Sequence, residues 1–564
     1  MTPFHWEIEF PEVFGEQPDR NPVSALETGF LSASRETRFP KQKPGFDSPG
    51  FDCIVGNPPF AGKNTISNQL HPLMVPYLLS AYPGSNGKSD LVAFFFRRSF
   101  ELIRVGGAMG LIATKTICQG DTRAAGLAWL CNNGGSIFAA RKRLPWPGEA
   151  SVFVSQVHFS KGEATEPRIL EGKATTSISA FLFSGDVNSD PLPQLANSAR
   201  SFQGCNTSGQ GFLFSDDDAS GTPLDAIDEI TEANPRAAEL IRPYYSGEAI
   251  NHSAKLVPYR FVFGFGRATL EQATSLAPEL VEIARSKVKP DRESRPQNEQ
   301  SRSLAKRWWQ WHTDRPTMQE ATKGFVRVLV SSQVTEFVAV LFGNSTDVYG
   351  HTLNIFAFES HAAFSSLSSR INEVWVKFFC SSLGDSLRYT PSDCFETFPF
   401  PPSFESDAAL EAAGQTYYEF RAELMVRNNE GLTKTYNRFH DPHETSADIA
   451  TLRKLHAAMD RAVPDAYGGD LAKRTVPPCE FLLDYDDSED EDAAEPAPGA
   501  RQKKKPWRYR WPDAFRDEVL ALLLELNKVR AVEERLAGPA EKVKKPGKKP
   551  PKAKKGEGVG FDFG

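Results

Sequence analysis

The chain has 564 residues, 40% of them apolar and 24% charged, with a formal net charge of -7. That length allows two or three domains, and no stretch has the length or leader pattern of a membrane span or signal peptide, which predicts a cytoplasmic protein. Seven cysteines without a C-x-x-C pair suggest neither a disulfide framework nor a metal site. Charge is segregated: acidic residues cluster over 484–492 and lysines over 542–555, so a local basic cleft is compatible with the negative total.

Residues 1–45 begin with the strand-like Phe4-His5-Trp6-Glu7-Ile8-Glu9-Phe10 and continue into a Pro/Ser/Gly-rich loop. Over 46–165 apolar runs alternate with amphipathic ones. A strand at 51–56 is followed by a helix from Ser89 to Val105 that Gly106-Gly107 ends. A strand (Ala108 to Thr114), a helix (Asp121 to Asn132) and strands at Ser136 to Ala140 and Ser151 to Phe159 follow. This order predicts a mostly parallel, doubly wound sheet. The loop-rich 166–402 holds the cluster Trp308, Trp309, Trp311. Residues 403–483 are helical, with Ile449, Leu452, Leu455, Met459 and Val463 at three- and four-residue intervals. An acidic disordered linker (484–505), a last helix within 506–537 and a disordered lysine-rich tail (538–564) complete the chain.

The chemistry concentrates at Asn57-Pro58-Pro59-Phe60, directly after the apolar run Phe51 to Gly56. Each proline fixes its own φ and pushes the preceding residue out of the helical region, so Asn57 and Pro58 are both extended. The Asn57 amide oxygen and the Pro58 carbonyl can then point into one pocket beside the Phe60 ring. Two fixed acceptors and a π-face suit a planar base with an exocyclic amino group. A proline turn after a strand is the structural alternative.

The tetrad resembles the [N/D]-P-P-[F/Y] motif of N6-adenine DNA methyltransferases. The resemblance implies transfer of a methyl group from S-adenosylmethionine to N6 of an adenine flipped out of double-stranded DNA. In it, Asn57, Pro58, Pro59 and Phe60 form the catalytic tetrad, with Asn57 also next to the cofactor. Acceptors on both N6 hydrogens favour a pyramidal nitrogen, so preorganisation replaces a strong base. Trp146-Pro147-Gly148, entering the strand Phe153 to Phe159, resembles the family's later base-stacking motif, which puts Trp146 opposite Phe60. Ser89-Asp90-Leu91 is similar to the motif that lines the cofactor pocket; Asp90 as a plain helix cap is the alternative. Arg123 follows in a loop like the family's next.

Residues 166–402 resemble the target-recognition part of large methyltransferases of type IIG restriction–modification and of BREX- or DISARM-like phage defence, through Ile241-Arg242-Pro243-Tyr244-Tyr245, the tryptophans and Leu387 to Pro401. Arg388, Arg242, Lys377 and Arg123 are candidate DNA contacts. The implied fold is a partial Rossmann-like α/β sheet, a mixed α+β recognition region and a helical C-terminal region. The family's glycine-rich cofactor turn is not found upstream of Asn57, which predicts the C-terminal part of a longer or split enzyme. A partner chain would then carry the cofactor motif or a nuclease. The competing reading is a non-catalytic DNA-recognition subunit.

Overall fold

The computed structural model describes residues 49–62, 65–67, 71–146, 153–164, 167–218, 220–296, 298–383, 386–484 and 506–537, together with Val13. Apart from Val13 and Asp484, the expectations for 1–45, the acidic linker and the lysine tail lie outside these residues.

Six strands form the first sheet: β1 (Phe51–Gly56), β2 (Ile103–Thr114), β3 (Gly135–Pro145), β4 (Phe153–Lys161), β5 (Arg168–Leu170) and β6 (Lys173–Thr175), in the order β1-β2-β4-β3-β5-β6. β1 runs parallel to β2, while β4 lies antiparallel to both β2 and β3. The expected mostly parallel sheet is therefore mixed. Only residues 146–152 join β3 to β4, too few for the dozen or more that a parallel crossover needs, so the chain returns as a reversed strand. The helix after β1 also ends earlier than expected, at Leu102, and Gly106-Gly107 sits inside β2. There the register with β1 jumps from Phe51↔Ile103 to Cys53↔Ala108. A Cβ on Gly107 would sit 2.9 Å from the carbonyl oxygens of Phe51 and Arg104, so this bulge needs a residue without one.

α1 (Met74–Ala81) and α2 (Leu91–Leu102) follow β1. α2 buries Val92, Phe96 and Phe100 against Met109, Leu111, Val157 and Phe159 of the sheet. A helical run from Gly120 to Asn132, widened at Ala124–Ala128 into a π-turn, joins β2 to β3. Arg97 of α2 is 2% exposed; its guanidinium lies 4.0 Å over the Trp129 ring and bonds the Pro83 carbonyl at 3.0 Å.

Two hydrophobic cores meet at one short segment. Ile178, Ala180 and Leu182 enter the core of the sheet, whereas Phe181, Phe183 and Val187 enter the second core. The chain reverses here in a tight turn, with Ile178 bridged to Ser184, the Leu182 N–H donating to the Ser179 carbonyl and Leu182 at φ +56, so neighbouring side chains splay into the two cores and the segment works as a joint. The second core continues from Phe181 to Leu524, so residues 403–483 and 506–537 share it with the recognition region. It includes one antiparallel sheet of Leu341–Asn344, Arg327–Ser332, Leu353–Phe356 and Ser201–Gln203. Around it lie α3 (Arg370–Phe379), α4 (Ala408–Asn428), α5 (Ala447–Tyr467) and α6 (Asp513–Leu536). Along α5 the expected spacing holds: Ile449, Leu452, Met459 and Val463 are fully buried, and Leu455 packs at the margin.

His440 is buried in this core, stacked on Phe337 at 5.2 Å, and its Nδ1 accepts the Tyr509 N–H at 3.0 Å. Burial holds its pKa well below the ordinary value. Glu373 is held down to about 2, because Lys377 and Arg370 outweigh the opposing effect of burial. An unfolded chain protonates its histidine below about pH 6.5 and its glutamate below about 4.3, and the folded one resists both. Stability is therefore full above pH 6.5 and falls with acidification. We expect stability to fall between pH 7 and 5, measured by denaturant titration. His440→Gln, which keeps an acceptor for Tyr509, should flatten the slope; an unchanged slope would mean that other groups carry it.

Candidate active site

β1, β2 and β3 point the same way, so their C-terminal ends and the start of β4 form one edge of the sheet. Gly56 pairs with Leu111, Leu111 with Val157 and Val157 with Ala140. Asn57 thus leaves this edge three strand spacings, roughly 14 Å, from β3. Trp146 leaves it directly after Pro145, the last residue of β3, and is half-buried. In the turn after β1, Asn57 and Pro59 are exposed, Pro58 is buried and Phe60 is 38% exposed.

Asp90 fixes this turn. Its Oδ1 accepts the Val92 N–H at 2.8 Å, capping α2, and the Ala61 N–H at 3.3 Å, one residue past the tetrad. The Ala61 carbonyl accepts the Leu91 N–H at 2.9 Å. The Asp90 N–H in turn donates to Thr122 Oγ1 at 3.0 Å, and Ser89 Oγ bonds the Asp121 carbonyl at 3.2 Å. The tetrad is so tied to the start of α2 and to the helical run after β2. Asp90 is 3% exposed, and its side chain makes the helix cap that the sequence offered as the alternative, together with a brace for the turn. Replacing it with Ala should cost about 1 kcal/mol as a lost helix cap and loosen the turn, read as faster amide exchange at Ala61 and Val92. Unchanged exchange at Ala61 would contradict the brace.

Two of the four candidate DNA-contacting cations are committed inside the protein. The Arg123 side chain is 1% exposed, lies 4.0 Å over the Phe181 ring, pairs with Asp190 and bonds the Asn188 carbonyl. It anchors the joint between the two cores and is too buried to meet a phosphate. The Lys377 side chain, 7% exposed, sits between Asp484 at 3.0 Å and Glu373 at 3.6 Å. Arg242 is half-buried, 5.8 Å over Trp311, and burial lowers its pKa. Arg388 is exposed on the strand Ser386–Arg388 and stays available.

The tryptophan cluster is core. Trp311 donates to the Phe263 carbonyl and Trp309 to that of Ala268, each at 2.9 Å. The fully buried Arg292 closes the loop by bonding the carbonyls of Thr207, Trp308 and Gln310. The Trp311 ring also fills the glycine turn after Phe263: a Cβ on Gly264 would meet it at 2.6 Å. That turn is no cradle for a cofactor.

Sequence reasoning missed the partner of this edge. Asp517 of α6 contacts Lys142 Nζ at 2.6 Å and Arg143 at 3.0 and 3.2 Å. These residues lie 374 positions apart, and no motif links them.

Two family models match the chain. "Eco57I restriction-modification methylase" covers residues 1–133, which include the tetrad, and "MmeI, target recognition domain" covers 205–402. No curated protein matches. Among solved structures, the type IIL restriction–modification enzyme MmeI in complex with DNA is similar over 85% of this chain, with a TM-score of 0.51 and 18% identity. The type IIG restriction endonuclease BpuSI is similar over 74%, with a TM-score of 0.28 and 11% identity. This chain spans 57% of the length of the MmeI chain and 54% of that of BpuSI. The methylase match thus lies on the tetrad-bearing part of the chain and the recognition match on the second core, and in these two parts the chain is similar to the large type IIG-like restriction–modification enzymes.

Proposed function

We propose that the chain is the base-handling and target-recognition part of a site-specific DNA methyltransferase that modifies N6 of adenine. The observation that carries this reading is the braced Asn57-Pro58-Pro59-Phe60 turn, on the same sheet edge as Trp146. An adenine extruded from double-stranded DNA lies between Phe60 and Trp146. Stacking contributes roughly 1–3 kcal/mol per base, comparable with the cost of unstacking it. Asn57 Oδ1 and the Pro58 carbonyl accept the two N6 hydrogens. Held this way, the nitrogen loses conjugation with the ring and its lone pair would take the methyl group that S-adenosylmethionine supplies, with loss of an N6 proton to solvent. Arg388, and Arg242 at the margin of the second core, belong to the surface that reads the site. Partners supplying the cofactor loop or a nuclease, and a role in phage defence, are part of the same reading.

The test is long-read sequencing, with modified-base detection, of DNA from cells that express the chain together with its flanking genomic segments. N6-methyladenine in one short motif is expected. A modified cytosine, or specific DNA binding without any modification, would favour a different methyltransferase class or a non-catalytic recognition subunit.

A further inference from the structure

Lys142 and Arg143 are consecutive residues of β3, and in a regular strand their side chains point to opposite faces. Both nevertheless reach the one carboxylate of Asp517. A bulge makes this possible: Arg141 pairs with Gln156 and Leu144 with Val154, so three steps on β3 oppose two on β4. Bulges re-aim side chains at the cost of ladder bonds. Here the local bonds come from elsewhere: Glu171 Oε1 accepts the Lys142 N–H, and Ser155 Oγ donates to its carbonyl. Trp146 follows three residues after Arg143.

The other end of α6 grips the second core. Asn527 bonds the Leu192 backbone in both directions, at 2.9 and 2.8 Å, and the Thr397 carbonyl at 2.7 Å. Arg530 bonds the Phe400 carbonyl, and Glu534 accepts the N–H groups of Leu195 and Ala196. One helix therefore spans from the bulge to the segment that follows the joint.

We propose that Asp517 is a positioning residue for the base pocket: it holds the β3 bulge, and through it Trp146, at a fixed place relative to the recognition region. The inference rests on the functional reading above, since it assigns Trp146 to the base. Lys142 is the reason the hold is firm. Its side chain is 6% exposed, 4.0 Å over the Phe183 ring, with Asp517 beside it. Without Asp517 this ammonium would be buried and unpaired, which is unfavourable enough to move the strand end until the charge reaches water. Trp146 would move with it.

The test uses the full chain with its cofactor-binding partner or segment. It compares Asp517→Asn with Glu534→Gln, a change roughly 25 Å further along the same helix. In Asp517→Asn, amide exchange over 140–146 should accelerate at least ~10-fold. Single-turnover methyl transfer should fall ~10- to 100-fold, as misplacement by about an ångström does, while DNA affinity stays within ~2-fold. Asp517→Glu should restore most of the transfer, and Glu534→Gln should leave exchange at 140–146 unchanged. If Asp517→Asn does not fold, Lys142→Gln replaces it, because Arg143 still neutralises Asp517 while the grip on the bulge is halved. Equal acceleration in the Asp517 and Glu534 variants, or none in a folded Asp517 variant, would overturn the proposal. A wild-type complex that transfers no methyl group would instead refute the functional reading, with the exchange comparison still deciding the hold.

Discussion

Asn57→Ala should reduce the rate of methyl transfer by roughly 10²-fold, the size of effect seen when one preorganised polar contact is removed from an active site. DNA affinity should stay within ~3-fold. The asymmetry follows from where the amide oxygen acts: it bonds an N6 hydrogen throughout, but that bond strengthens as the nitrogen becomes pyramidal, so its loss falls on the chemical step. Asn57 is exposed at the end of β1, and the turn's bonds run through Ala61 and Asp90; truncation therefore leaves the fold in place. Asn57→Asp keeps an acceptor and should retain more activity than Ala. Rapid-quench single-turnover assays and fluorescence anisotropy on the same preparations make the comparison. Equal losses in affinity and rate would show that Asn57 shapes the turn and does not act on the base.

The second large effect concerns stability. Asp460→Ala should destabilise the helical core by roughly 3 kcal/mol: Arg370 keeps Glu373 at 3.1 Å, but its buried backbone N–H loses its acceptor and its guanidinium loses one of two carboxylates. The Arg370 side chain is 3% exposed and that of Asp460 2%. One carboxylate accepts the Arg370 backbone N–H at 2.8 Å, faces its guanidinium at 3.2 Å and holds His456 Nδ1 at 2.9 Å. It joins α3 to α5, and α6 also packs on α3. Calorimetry should show a midpoint lowered by roughly 10 °C for the unit containing these helices. A shift below ~2 °C would mean that apolar packing alone holds the three helices.

The two parts of the site differed in how far the sequence revealed them. The tetrad could be read because its chemistry is local: two prolines restrict Asn57 and Pro58 whatever surrounds them. The five-position spacing along α5 was readable for the same reason. Partnership across the chain was not. Arg123 and Lys377 look like free cations in sequence, and only the fold brings Asp190 and Asp484 to them. The three neighbouring tryptophans were legible as part of a recognition region, but not their place in it: Arg292 and the carbonyls around it draw them inward. The reversed strand β4 was hidden by an expectation that strand follows helix in one direction; the short connection after Trp146 contained the contrary signal. For Asp90 the structure shows the helix cap, a role whose local sequence signature a pocket ligand shares.

The most direct test of the account is the structure of the chain bound, with its cofactor-binding partner or segment, to a duplex carrying its methylated motif. One adenine should be rotated out of the helix at the edge where β1, β2 and β3 end. Its ring should lie between Phe60 and Trp146, with N6 within hydrogen-bond distance of Asn57 Oδ1 and the Pro58 carbonyl. A duplex with every base stacked, or an extruded base held away from that edge, would contradict it.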